Sequence, residues 1–150
     1  MSKQAAITIL MADDDDDDFL LTKKALTESK LANTLIRVED GEELMDYLKR
    51  RGKYEKVEVL RPGMILLDLN MPRKDGRETL KEIKSDPELK DIPVIIFTTS
   101  KAEEDIFRSY QLGSNSFITK PVTFEKLVGV ISALGAYWFK IVKLPPTSEK

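Results

Sequence analysis

Apolar positions along the chain fall into two kinds of run, and the two kinds alternate. ITILMA (7–12), TLIRVE (34–39), MILLDL (64–69), PVIIFT (93–98) and SNSFIT (114–119) are short, and most are rich in β-branched residues. The first, third and fourth are apolar almost throughout, as expected of strands covered on both faces in the middle of a parallel sheet. Between them the spacing becomes helical. Phe19, Leu20, Leu21, Ala25 and Leu26 predict one helical face, and Leu44, Met45 and Leu48 a second. Leu80 and Ile83 predict a third, and Ile106, Phe107, Tyr110 and Leu112 a fourth. A fifth helix is predicted from near Thr123 to about Val142. Five strand–helix units in succession imply an α/β fold, a doubly wound five-stranded parallel sheet with helices on both faces. The stretch RGKYEKVEVLRPG (51–63) has no clean period and reads as a long loop, and PPTSEK (145–150) reads as a disordered tail.

In such a sheet, ligands sit beyond the carboxyl ends of the strands. Asp13 and Asp14 follow the first strand, Asp68 closes the third, Thr98 and Thr99 the fourth, and Lys120 and Pro121 the fifth. Glu39 and Asp40 end the second, which lies nearer an edge if the first strand is central. Three carboxylates, a hydroxyl and a lysine therefore converge on one rim. Two like charges about 4 Å apart repel by roughly 4 kcal/mol at an effective dielectric near 20. The cluster needs cations: Lys120 supplies one, and a hard dication with oxygen ligands, usually magnesium, supplies the rest. The alternative is a carboxylate kept protonated by its neighbours.

Composition narrows the chemistry. The sequence has no histidine and no cysteine, which excludes Ser-His and Cys-His catalytic pairs and any imidazole or thiolate metal site. Its 24 Lys and Arg nearly balance 26 Asp and Glu, so no basic footprint for nucleic acid is present. No apolar run is long enough to span a bilayer, and MSKQAA lacks a signal core, so a cytoplasmic protein is expected. The 150 residues suit one domain.

The run MADDDDDD (11–18) concentrates charge where a strand becomes a helix. Asp13 and Asp14 are expected to be ion ligands and Asp15 the helix N-cap. Asp16 to Asp18 fall in the first turn, where the helix dipole favours each by about 0.3–1 kcal/mol. The run lacks the glycine and final glutamate of an EF-hand loop.

Together, DD after the first strand, LLDLNMPRKDG around the third, FTTS at the fourth and FITKP at the fifth resemble the receiver domain of a two-component response regulator. The long 51–63 loop and YWFKIVKLPP (137–146) resemble, more narrowly, the single-domain regulators linked to phytochromes. The resemblance covers about 7–140 and implies the flavodoxin-like strand order 2-1-3-4-5. It implies that Asp68 accepts a phosphoryl group from a sensor histidine kinase, and the narrower likeness points to a phytochrome-like photoreceptor. It implies an acidic pair Asp13 and Asp14, with Asp14, Asp68 and the Asn70 carbonyl ligating Mg2+. Thr98 and Lys120 are then expected to contact the phosphoryl group, Phe117 to be the switch aromatic and Lys120–Pro121 to be cis. Asn70 and Ser100 stand where the family tunes phosphoryl lifetime. The resemblance implies self-catalysed phosphorylation and dephosphorylation of a signalling protein, not an enzyme acting on other substrates.

The receiver is drawn at 1–144, and with no DNA-binding domain following, output by protein contact is expected. The last helix and tail (123–144), with Tyr137, Trp138, Phe139, Ile141 and Val142, carry more apolar surface than one sheet face needs. A homodimer through this region is expected, and membrane docking is disfavoured because Lys140 and Lys143 alone make a weak basic face. Two rivals differ in function. A haloacid-dehalogenase-type phosphatase needs a second Asp where Asn70 stands. A non-phosphorylated receiver-like dimeric scaffold would usually lack the acidic pair or the lysine.

Overall fold

The computed structural model describes residues 7–99, 103–121 and 123–136. Tyr137, Trp138, Phe139, Ile141, Val142, the 145–150 tail and Ser100, to which the sequence assigned roles, lie outside them. Five strands, β1 (Ile9–Ala12), β2 (Leu35–Val38), β3 (Met64–Leu67), β4 (Val94–Thr98) and β5 (Ser116–Thr119), form one sheet in the order β2-β1-β3-β4-β5. All neighbouring pairs are parallel. The helices are α1 (Asp16–Glu28), α2 (Gly41–Lys49), α3 (Gly76–Ser85), α4 (Glu103–Gln111) and α5 (Phe124–Leu134). The doubly wound architecture is therefore the expected one.

Side chains on successive strand positions point to opposite faces. Leu10, Ala12, Ile65, Leu67, Val94 and Ile96 join the core under α2 and α3. Their neighbours Ile9, Met11, Met64, Leu66, Ile95 and Phe97 join the core under α1 and α5. Every residue of β1, β3 and β4 is buried, which is why these strands read as unbroken apolar runs. The edge strand β5 is only partly buried, and its sequence is correspondingly mixed.

Two helical faces differ from expectation. Leu20 and Leu21 on α1 are exposed, while Thr22, Ala25 and Leu26 face the core. On α4, Tyr110 is half exposed and Ser109 is buried instead. Thr22 can be buried because its hydroxyl donates to the Asp18 carbonyl one turn back, at 2.8 Å. The 51–63 segment is more ordered than a plain loop: Gly52–Tyr54 is a 3₁₀ turn, and the Tyr47 hydroxyl donates to the Leu60 carbonyl at 2.8 Å. No helix among the described residues is long and apolar enough to cross a membrane.

Candidate functional site

The strand register carries the site. Ala12 pairs with both Val38 and Leu67, and Thr98 pairs with Thr119, so the strand ends lie in one row. The ladder continues one residue further. Asp13 N–H donates to Val38 O at 3.0 Å, Asp68 N–H to Ala12 O at 3.1 Å, and Lys120 N–H to Thr98 O at 2.7 Å. Backbone hydrogen bonds thus fix the residues that project over the rim.

Those side chains meet. Lys120 Nζ donates to Asp13 Oδ2 at 2.7 Å, Asp18 Oδ2 at 2.6 Å and Asp68 Oδ2 at 2.9 Å. Thr98 Oγ1 donates to Asp68 Oδ1 at 2.7 Å, and the Asn70 backbone N–H donates to the same oxygen at 3.1 Å. Asp13 and Asp68 are buried, and Asp14 stands exposed at the rim. One carboxylate oxygen from each of Asp13, Asp14 and Asp68 lies within 4.8 Å of the others. The structure thus brings together Asp13, Asp14, Asp68, Thr98 and Lys120, with Asn70 attached through its backbone.

Burial pushes the Asp13 carboxyl up to about 6, against the opposing pull of the Lys120 N–H. Burial would lower Lys120, but its bonds to Asp13 and Asp18 outweigh that and hold the ammonium above its ordinary range. Three carboxylates (Asp13, Asp18 and Asp68) share the Lys120 ammonium, and Asp14 adds a fourth beside Asp13 and Asp68. The donor set is all oxygen, anionic and clustered, which fits a hard divalent cation such as magnesium or manganese.

Local geometry holds the Asp68 loop. A Cβ on Gly76 would stand 2.2 Å from the Asp68 carbonyl oxygen, so only glycine lets the chain return there. Asp75 caps α3 by accepting from the Arg77 and Glu78 amides. Arg73, at φ 64°, donates to the buried carboxylate of Asp40 at 2.9 Å. Asp40 is thus the cap of α2 and the ion-pair partner of Arg73.

Asp15 is the α1 N-cap, as expected, accepting from the Asp17 and Asp18 amides. Asp18 was assigned only to the first turn, and it turns inward to Lys120 instead. The signal was available: Thr22, Ala25 and Leu26 form the inner face, and one turn back from Thr22 is Asp18. Phe117 is partly buried against the α2–α3 core. No described peptide bond is cis, so Lys120–Pro121 is trans, against expectation. An X–Pro bond favours trans by only about 0.5–1 kcal/mol, too little for residue types alone to fix the isomer.

Comparison with known proteins adds an independent finding. Residues 9–132 match the model of the response regulator receiver domain. Response regulator Rcp1 of Synechocystis sp. is 41% identical over 137 residues, covering 91% of this chain and 92% of Rcp1. The Mn2+-bound form of Rcp1 superposes with a TM-score of 0.85 at 40% identity, covering 93% of this chain and 99% of that one. The phosphorylated cyanobacterial phytochrome response regulator RcpA superposes with a TM-score of 0.87 at 42% identity, covering 95% of this chain and all (100%) of that one.

Proposed function

Because the chain belongs to the response regulator receiver domain family, we propose that it takes a phosphoryl group from a partner histidine kinase onto Asp68 and signals by protein contact. The observation that carries this reading is the set of donors on one carboxylate: Lys120 on Asp68 Oδ2, with Thr98 and Asn70 on Oδ1. Such donors orient a carboxylate nucleophile and stand ready for the negative charge of a transferring phosphoryl group.

Asp13, Asp14, Asp68 and the Asn70 carbonyl are the proposed ligands of Mg2+, which would offset charge on the phosphoryl oxygens. The Asp68 carboxylate displaces the donor from phosphorus and becomes an acyl phosphate. Lys120 pairs with a phosphoryl oxygen, and the Thr98 hydroxyl moves from Asp68 to another. Phe117, which pairs with Ile96 two residues before Thr98 on β4, then shifts the α4–β5–α5 surface between two populations. Water later returns Asp68 to its carboxylate.

RcpA is described as a phytochrome response regulator, and its likeness supports a light-sensing kinase as the partner. Pairing of two copies through α5 and the following YWFKIV is supported by the apolar character of that sequence. The test is incubation with acetyl phosphate and Mg2+, followed by mass spectrometry. One phosphoryl group that persists, and that is absent from Asp68→Asn, supports the proposal. No incorporation points to a constitutive scaffold, and rapid turnover without accumulation points to a phosphatase.

A further inference from the structure

Lys120 is held by a carboxylate that phosphoryl transfer, as set out above, does not use. Its bond to Asp18 is 2.6 Å, against 2.7 Å to Asp13 and 2.9 Å to Asp68. An ammonium has three N–H donors, so these partners use all of them. They approach from three elements: Asp18 from α1, Asp13 from the end of β1, and Asp68 from the end of β3. The Lys120 side chain is only 10% exposed and Asp18 29%, so the contact is substantially shielded from water.

Asp18 differs from its neighbours in the aspartate run. Asp15 caps α1, Asp16 reaches outward to Arg37 at 2.6 Å, and Asp17 is exposed. The backbone of Asp18 is itself anchored, because the buried Thr22 hydroxyl donates to its carbonyl. It is therefore a fixed acceptor on a packed helix turn.

We propose that Asp18 is a positioning residue for the transfer to Asp68, acting through Lys120. The inference rests on the phosphoacceptor reading. Lysine ends in a compact charge on a flexible four-carbon stem, and its aim must come from its partners. Asp18 and Asp13 grip two of its N–H groups. The third, on the longest bond, points to Asp68 and is the one free to pass to a phosphoryl oxygen. Removing the Asp18 charge leaves Asp13 as the sole anchor and lets the head swing.

Phosphorylation by acetyl phosphate reads this directly. An Asp68 oxygen forms the new bond to phosphorus, the bond from phosphorus to the acetyl oxygen breaks, and acetate leaves with the electron pair. The full chain would be compared with Asp18→Asn and Asp17→Asn at saturating Mg2+. Misplacing a catalytic group by about 1 Å can cost 10²-fold, so a slowing of about tenfold is expected in Asp18→Asn. Asp17→Asn removes the same charge one residue away without touching Lys120, and should leave the rate unchanged. The ¹⁵N-detected Lys120 ammonium signal should exchange slowly with solvent in the parent and in Asp17→Asn, and faster in Asp18→Asn. Wild-type labelling by Asp18→Asn, equal slowing in Asp17→Asn, or an unaltered ammonium signal would each overturn the role of Asp18 alone. A parent chain that takes no phosphoryl group on Asp68 removes the underlying reading as well.

Discussion

Lys120→Met removes the ammonium that bonds Asp13, Asp18 and Asp68 while keeping the length of the stem. Two of the carboxylates it leaves behind are buried: the side chains of Asp13 and Asp68 are 1% and 8% exposed. Removing one partner of a buried ion pair costs about 3–5 kcal/mol, because the other charge stays behind uncompensated. Asp18, at 29% exposed, is less deeply buried than these two, so the loss of its pair adds less. Lys120 no longer has to be desolvated, which returns part of the loss. A net destabilisation of about 3 kcal/mol is expected at pH 7 in a chelator, or a fall in Tm of about 6–12 °C for a chain of this size. Mg2+ should narrow the gap between parent and variant. It binds the more negative site tighter, and each tenfold in Kd adds about 1.4 kcal/mol of stabilisation. Acid should narrow it too: burial pushes Asp13 up to about 6 even with Lys120 beside it, and without that cation it takes its proton at higher pH, so the uncompensated charge disappears as pH falls toward 6. Urea unfolding with and without Mg2+, from pH 5 to pH 8, measures all three effects. A gap below about 0.5 kcal/mol in chelator, the value of an ordinary surface pair, would refute the reasoning. So would a gap indifferent to Mg2+.

The Tyr54 hydroxyl donates to Glu43 Oε2 at 2.6 Å. Burial raises the Glu43 carboxyl, but this bond and its other donors outweigh burial and hold it below its ordinary value. Its contribution is therefore present above the unfolded pKa of 4.5 and is lost as pH falls through the lower folded value. Tyr54→Phe should cost about 1 kcal/mol at pH 7 and flatten the acid limb of the stability profile measured by denaturant titration. Gly76→Ala forces a Cβ against the Asp68 carbonyl oxygen and should lose about 2 kcal/mol or more in unfolding experiments, with weaker Mg2+ binding by calorimetry. Arg77 ties α3 to α4 through two bonds to Asp105, at 3.0 and 2.9 Å. Arg77→Ala should cost about 0.5–1 kcal/mol and raise amide exchange in α4 with little change in β1 or β3.

The sheet was legible because burial on both faces leaves a strand little choice but apolar residues, as in Met64–Leu67 and Val94–Thr98. The rim was legible for the opposite reason: Asp68 is a charge at the end of a strand buried on both faces, and Lys120 stands at the matching end of the edge strand. Helical faces were harder to read where polar groups satisfy themselves locally. Thr22 bonds the Asp18 carbonyl and Thr79 the Asp75 carbonyl, so both hydroxyls enter the core while resembling surface residues in sequence. Leu20 and Leu21 misled in the other direction, being apolar and exposed. Asp18 was obscured by the five identical residues before it; only the turn of α1 singles it out. Pairs such as Arg73 with Asp40 join positions 33 residues apart, and a single sequence holds no signal for them.

The most direct measurement of the central claim is the location of the acyl phosphate. Borohydride reduces an aspartyl phosphate to homoserine, which peptide mass spectrometry places to the residue. After exposure to acetyl phosphate and Mg2+, homoserine is predicted at position 68 alone, and at no position when the dication is chelated. Homoserine within residues 13–18, labelling indifferent to the dication, or none at all would contradict the account.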